Sequence, residues 1–309
     1  MNVKPKVQIF LSTYNGEKYI SEQIESLLEQ KEVRVSILVR DDGSSDKTIQ
    51  ILNRYQQLGK IVYYQGQNLG YSKSFLNLVS QNVKADYYAF CDQDDVWLPN
   101  KLAMAIKWLD TISRDFINQK PVLYTSALQR VDENLNKMDL QEFSHLRLTL
   151  GAEFTRHRLA GCSFVFNESL RFLLKQSSHI DDLTCSHDKL ATILCIACGG
   201  KILFDHNSYI LFRRHGSNAS GDGLKIKDKF QKELKFFFNG CSNSAQLSHQ
   251  ILQEYKEELD GRSYEFLKLV ETYKDSYIKT LKLALSSQIN CGFWFFDLFI
   301  RTMIIARLF

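Results

Sequence analysis

From Val7 to about Val131, short apolar runs alternate with segments of helical period, and this alternation restricts the possible folds more than any other feature of the chain. VQIFLS, VSILV, IVYY, YYAF and VLYTSAL are rich in β-branched and aromatic residues and read as strands. The stretches beginning near Glu17, Asp46, Tyr71 and Pro99 read as helices; Asp46 and Thr48 follow a Gly-Ser-Ser turn, and Pro99 suits a first helical turn. Strand and helix repeated in this order imply an α/β fold with a doubly wound, mostly parallel sheet. In such sheets ligands bind beyond the carboxyl ends of the strands.

Three of those ends carry polar clusters: Ser12-Thr13-Tyr14-Asn15-Gly16, Arg40-Asp41-Asp42-Gly43-Ser44 and Asp92-Gln93-Asp94-Asp95. Each alone is ordinary turn and cap chemistry. Three on one rim of a sheet are harder to explain that way. In the last cluster two like charges ~4 Å apart would repel by roughly 4 kcal/mol at an effective dielectric constant near 20. Something positive is therefore expected beside Asp92, Asp94 and Asp95, and hard carboxylate oxygens suit Mg²⁺ or Mn²⁺ with phosphate oxygens as further ligands.

The rest of the chain is less regular up to about Leu224, with strands expected at CSFVFN, KILF and YILFRR and a helix from about Asp188. Beyond Lys225 it reads as wholly helical. A net charge of +4 over 309 residues, without a basic stripe, argues against nucleic acid as a partner. Neither a GxxxxGK[ST] nor a GxGxxG pattern occurs, so a P-loop hydrolase and a dinucleotide dehydrogenase find no support. The seven cysteines are odd in number and scattered through apolar segments, which fits reduced thiols better than a disulfide framework. Cys195 and Cys198 lack the second ligand pair of a zinc site and read as core residues. The N-terminus has no apolar stretch of signal-peptide length, so a cytoplasmic location is expected.

FLSTYNGEKYI, VRDDGSSDKT, NLGYSKSF and CDQDDVWLPNKL, in this order and spacing, resemble the donor-binding half of the family 2 glycosyltransferases, enzymes of the GT-A fold. SHDKLATILCIACGGKILF and YILFRRHGSNASG resemble the later motifs of that family's bacterial rhamnosyltransferase-like members. The resemblance covers roughly residues 5 to 222. It implies a GT-A catalytic domain over 1–224, with a donor half to about 131 and an acceptor half from 132, followed by a helical region over 225–309. It also implies an inverting, metal-dependent transfer of a sugar from a dTDP- or UDP-linked donor, with L-rhamnose from dTDP-rhamnose as the first choice. Inversion would convert a β-linked donor into an α-linked rhamnoside of a capsule, cell-wall or O-antigen chain. A UDP-hexose donor, a non-catalytic nucleotide-sugar binding module and a membrane-surface structural protein are the alternatives.

Carried over residue by residue, the resemblance puts Thr13, Tyr14, Asn15 and Asp41 around the nucleotide. A carboxylate such as that of Asp41 can accept from a pyrimidine imide N–H. The DxD element corresponds to Asp92, near ribose and metal, and Asp94, a metal ligand completed by His215. Arg213 and Arg214 are implied near the phosphates, Lys73 at the donor, and Gly161 and Cys162 on the acceptor side. The loop HGSNASGDG could close over the donor and exclude water. Asp188 falls in the slot of the catalytic base; its rival reading is a cap for the helix KLATILCIA.

The terminal CGFWFFDLFIRTMIIARLF is strongly apolar, but Asp297, Arg301 and Arg307 would gather on about a third of one helix. That pattern argues against a spanning helix and for an interfacial one over 292–309, aided by Lys279 and Lys282 at anionic headgroups. Attachment at the inner face of the plasma membrane would suit a saccharide acceptor carried on a lipid. Packing on the catalytic domain or on a second subunit of a homo-oligomer is the competing expectation.

Overall fold

A computed structural model of the protein describes residues 4–141, 146–177, 184–215 and 243–309. The chain divides into two compact units: Met1–Glu142 with Ala160–Ser178 and Lys201–Gly221, and Phe143–Leu159 with His179–Gly200 and Asp222–Phe309.

The first unit is built on one sheet. Strand β1 (Lys6–Thr13) lies between β2 (Arg34–Asp41) and β4 (Tyr87–Cys91), parallel to both, and β3 (Val62–Gln65) adds to β2 in parallel. The full order is β3-β2-β1-β4-β8-β6-β9-β5, with β5 Val96–Trp97, β6 Val122–Val131, β8 Val165–Phe166 and β9 Lys201–Arg213. β7 (Lys137–Gln141) pairs β6 alone. The expected α/β sheet is therefore present, parallel through β3-β2-β1-β4 and again between β6 and β9. The short strands β5, β7 and β8 run antiparallel to their neighbours.

Both faces of β1 and β4 are covered, which is why these strands read as unbroken apolar runs. Ile9, Leu11, Ala89 and Cys91 belong to the same core cluster as Ile20, Ile24 and Leu27 of α1 (Ile20–Leu28), Leu52 of α2 (Thr48–Gln57) and Leu102 and Ala105 of α4 (Lys101–Leu109). On the other face Phe10 stacks on Tyr88 and packs at a tilt against Phe90, which meets Phe75 of α3 (Tyr71–Ser80) edge-on and Phe166 at a tilt. Each such fully buried side chain contributes roughly 1.5–3 kcal/mol. The helices α5 (Arg114–Gln119) and α7 (Glu168–Gln176) complete this unit, and Asn167 caps the latter by accepting from Leu170 N–H.

KILF and YILFRR, expected as two strands, form the single strand β9, because Asp205-His206-Asn207 makes a bulge rather than a turn. The register against β6 jumps from Ser126 opposite Asp205 to Ala127 opposite Ser208, and Asp205 accepts from the backbone and side chain of Asn207. The extra residues bend the strand without ending it.

The second unit is helical: α6 (Leu150–Arg156), α8 (His187–Ala197), α9 (Ser244–Glu254), α10 (Gly261–Thr272), α11 (Tyr277–Ala284) and α12 (Trp294–Ile305). The helical C-terminal region is thus present. Asp260 caps α10 and Ser276 caps α11. Cys195 within α8 and Cys198 at its end are both buried. Gly151 lies so close to Gln288 that a Cβ there would sit 2.2 Å from its carbonyl oxygen. Backbone cannot yield as a flexible side chain can, so Gly151→Ala is expected to lower stability by about 1–3 kcal/mol in denaturant unfolding.

One expectation for the terminus is corrected. Asp297, Arg301 and Arg307 do not form one stripe on α12, because Arg307 follows the helix end in a left-handed conformation (φ 61°), with its guanidinium 4.1 Å from the Tyr277 ring centre. Asp297 accepts from Cys291 N–H, and Arg301 donates to the carbonyls of Ala284 at the end of α11 and of Ser286 and Ile289 beyond it. The charges are spent on the helix connection. Among the described residues no helix is long and apolar enough to cross a membrane.

Candidate active site

β1 has β2 on one side and β4 on the other, so the chain reverses its direction of winding at this strand, where α/β sheets open a crevice. The parallel register sets Thr13 opposite Asp41 and Leu11 opposite Cys91. The three polar clusters, which directly follow these strands, accordingly come to one rim.

The clusters are laced together. Gln93 Oε1 accepts from Thr13 Oγ1 at 2.6 Å and from Tyr14 N at 2.9 Å, while its amide donates to Tyr14 O. Asn15, with φ of 49°, accepts from Ser45 N–H, and its own N–H donates to Ser44 Oγ. Asn tolerates this left-handed geometry better than most residues. Asp41 is fully buried and accepts from Gly43 N and Ser44 N on Oδ1 and from Ser44 Oγ on Oδ2. The turn here uses Gly43 at φ +87°. Asp42 pairs with Arg40 and accepts from Leu69 N and Gly70 N. Lys73 is exposed in the first turn of α3, and Tyr14 is half exposed.

The acidic cluster lies between β4 and β5, and because β5 pairs with β9 the end of β9 passes beside it. His215 Nε2 is 2.8 Å from Asp94 Oδ2, and its ring lies 5.0 Å from that of Tyr19. Two expected metal ligands more than a hundred residues apart thus meet. Asp92 groups differently: its carboxylate, that of Asp95 and the Cys162 thiol lie within 4.8 Å of one another. Burial, then the charges of Asp94 and Asp92, push the Asp95 carboxyl well up, and its Oδ2 has no hydrogen-bond partner among the described residues. Burial also pushes up the Cys162 thiol, which makes it a poor ligand for a hard cation. Carboxylate and imidazole donors of the kind Asp92, Asp94 and His215 carry suit Mg²⁺ or Mn²⁺, though in this arrangement Asp94 meets His215 while Asp92 groups with Asp95 and Cys162.

The positive charge expected beside the aspartates is supplied in part by the protein. Arg213 donates from its backbone to Asp95 Oδ1, and its side chain donates to Asp94 O, Glu133 O and Glu22. It is 2% exposed and braces the acidic loop through these bonds. Lys101 is buried with its ammonium 3.4 Å from the Trp97 ring centre, and burial draws it down to about 7. Arg214 donates its N–H to Val131 O and lies over Phe212. Gly161 and Cys162 are buried in a short 3-10 turn, Gly161–Ser163. The loop HGSNASGDG lies, after His215, outside the described residues.

Asp188 belongs to the second unit, as the second residue of α8; the cap position is taken by Ser186. Its Oδ1 accepts from Lys189 N at 2.8 Å and from the Ser186 hydroxyl. Oδ2 is 3.6 Å from His157 Nε2, and the side chain is 20% exposed. Burial would raise the Asp188 carboxyl, but the facing His157, then His187 and the Ser186 hydroxyl, hold it well below the usual range. Sequence reading placed Gln93 in its cluster without a role and missed Glu22, Tyr19, Glu153 and His157. Of these only Glu153 and His157 left a signal, an acid and a base at i and i+4 at a helix end.

The glycosyl transferase family 2 model matches residues 8–175. The dTDP-rhamnosyl transferase RfbG of Shigella flexneri is 26% identical over 235 residues, covering 72% of this chain and 77% of that protein. An uncharacterized glycosyltransferase of Rickettsia typhi is 25% identical over 300 residues, covering 91% of this chain and 84% of that protein. In fold, the chain resembles S. aureus TarS 1–349, solved in complex with UDP-GlcNAc, with a TM-score of 0.56 at 19% identity, over 98% of this chain and 82% of that one. With more than half of the chain matched by the family model, over the sheet that carries all three rim clusters, the protein belongs to glycosyl transferase family 2 and is a glycosyltransferase that uses a nucleotide-sugar donor.

Proposed function

We propose that the protein is an inverting, metal-dependent rhamnosyltransferase, taking L-rhamnose from dTDP-rhamnose to a hydroxyl of a growing or lipid-linked polysaccharide. The observation that carries the metal reading is the meeting of Asp94 with His215 beside the Asp92 cluster, at the strand ends where the fold opens its crevice. Support for the sugar comes from the likeness to a protein named as a dTDP-rhamnosyl transferase.

In this reading Asp92, Asp94 and His215 would hold Mg²⁺ or Mn²⁺. When bound, such an ion neutralises charge on the departing diphosphate. Thr13, Tyr14, Asn15, Asp41 and Lys73 bind and orient the nucleotide, with Arg214 toward the phosphates and Gly161 and Cys162 shaping the acceptor side. The acceptor oxygen attacks the anomeric carbon, the bond to the diphosphate breaks with its electron pair leaving on phosphate oxygen, and Asp188 takes the hydroxyl proton. One attack on the face opposite the leaving group inverts the anomeric centre.

A thermal-shift panel of dTDP-rhamnose, UDP-glucose, UDP-galactose and UDP-N-acetylglucosamine, each with Mn²⁺ or Mg²⁺, tests the donor. A ligand that binds only the native state raises its melting temperature, by about 2.7 kcal/mol of stability at a hundred times Kd. dTDP-rhamnose is expected to give the largest shift, and a larger shift with a UDP-hexose would replace the sugar assignment.

The location proposed is the cytoplasmic face of the plasma membrane. Tyr277, Ile278, Leu281 and Leu285 on and just after α11, and Trp294, Phe295 and Leu298 on α12, are exposed, with Ile278 at 81% and Trp294 at 78%. Of the two lysines expected at anionic headgroups, Lys282 stands exposed on this segment, whereas Lys279 pairs with Asp275 at 2.9 Å; Lys274, just before α11, is exposed as well and suits the same role. Vesicles containing phosphatidylglycerol are expected to bind the protein and shift Trp294 emission to the blue, with Trp294→Ala weakening binding about tenfold. Equal and negligible binding to anionic and neutral vesicles would leave a homo-oligomer contact as the reading of this face.

A further inference from the structure

His157 has no place in the chemistry above, yet it is a buried ionisable group held between two carboxylates. It follows the last residue of α6, its ring nearly buried at 10% exposure. Nδ1 is 2.5 Å from Glu153 Oε2, one helical turn back, and Nε2 is 3.6 Å from Asp188 Oδ2. The Glu153 side chain is 3% exposed. A buried carboxylate with no cation beside it is costly, and an imidazolium between Glu153 and Asp188 would face one on each side.

We propose that His157, anchored by Glu153, is the positioning residue that holds Asp188 Oδ2 charged and aimed for its work as the base; this rests on the assignment of Asp188 made above. The two oxygens of Asp188 then divide the labour. Oδ1 is fixed by the start of α8, through Lys189 N–H and the Ser186 hydroxyl. Oδ2 is steered by the imidazolium across a gap too long for a direct hydrogen bond, which leaves its lone pairs open to an acceptor hydroxyl. A full hydrogen bond there would compete with that hydroxyl.

The other ionisable groups that bear on the site are His187 and Lys189 on α8 and Cys185 just before it. Burial draws the His187 ring down to about 4, so it is neutral at pH 7 and leaves His157 as the imidazolium beside Asp188. Lys189 Nζ lies 5.9 Å from the Phe154 ring centre. α10 is joined to α8 at the opposite end of that helix, where Asp260 N–H donates to Ala197 O. For His157, burial works against protonation, but the charges of Glu153 and Asp188 outweigh it and raise the ring to about 10. A raised folded value means that the stability from this ion triad is complete below about pH 6.5. It is lost as pH climbs toward the folded value of about 10.

The test is the pH profile of transfer at saturating donor for wild type, His157→Gln, Glu153→Gln and Asp188→Asn, with imidazole ¹⁵N NMR of the wild-type protein. His157→Gln is expected to lower kcat about tenfold or more at pH 7 with the donor KM unchanged. Its acid limb should move up by one pH unit or more, because Asp188 keeps its burial but loses its cation. A purely structural histidine would lower the rate without moving the limb. Glu153→Gln should move the limb in the same direction by less. NMR should show His157 as imidazolium at pH 8. An unmoved acid limb with wild-type kcat in His157→Gln would overturn the proposal. If that variant does not fold, a neutral His157 ring in the wild type at pH 7 would overturn it instead, and an imidazolium would sustain it. Wild-type transfer by Asp188→Asn would reject the base assignment itself, whereas an inactive Asp188→Asn beside an unmoved His157→Gln limb would reject only the role of His157.

Discussion

Asp188→Asn is expected to reduce kcat by roughly 10²–10⁴ while leaving the fold and the donor KM unchanged. Asparagine is isosteric, and its carbonyl oxygen can still accept from Lys189 N–H and the Ser186 hydroxyl, so the first turn of α8 keeps its bonds. What it loses is the second oxygen, the one near His157. An amide cannot take a proton from an attacking hydroxyl. The cap reading of Asp188 predicts the reverse, a small loss of stability with activity retained, on the order of 1 kcal/mol for a lost cap. Steady-state transfer and a thermal melt on the same preparation separate the two, and full activity in the variant would reassign Asp188 to helix initiation.

The second large effect is expected at Asp94. Asp94→Asn should lower transfer by about 10² or more, as for the removal of one group that stabilises charge in the transition state. The substitution also takes from His215 the carboxylate oxygen it meets at 2.8 Å. A metal role and a plain ion pair make different predictions here. If Asp94 and His215 ligate an ion, wild-type activity is abolished by EDTA and restored by Mn²⁺ or Mg²⁺, and the variant binds Mn²⁺ more weakly by calorimetry. If the pair only braces the loop, the variant melts lower and EDTA leaves the wild type fully active. Undiminished turnover in chelator would remove the ion from the mechanism.

The legible parts of the molecule are those written in local pattern. Val7, Ile9 and Leu11 alternate with Phe10 on a strand buried on both faces, and such a run can hardly be anything but a central strand. Parallel strands of this kind must be joined through helices, so the doubly wound order followed, and with it the meeting of STYNG, DDGS and DQDD at one rim. The ends of β9 show where pattern reading stops. Asp205-His206-Asn207 has turn composition, and only pairing with β6 on both sides of the bulge makes it one strand. Arg213 is a similar case. An arginine beside a candidate metal histidine suggests phosphate, and only the fold shows that three of its donors go to Glu22, Glu133 O and the Asp94 backbone.

The alternation of strand and helix, the strand-end placing of the acidic cluster and the kinship with family 2 were all determined by residues near one another in the chain, since periodicity and turn chemistry act over a few positions. The meeting of His215 with Asp94 was expected from the family resemblance, but other distant contacts were decided only by the tertiary structure: Cys162 with Asp92 and Asp95, and His157 between Glu153 and Asp188. The reason is that charge and ligand geometry depend on separations of a few ångströms and on burial. Those are set by strand pairing and helix packing, on which the spacing of letters in a sequence carries no information.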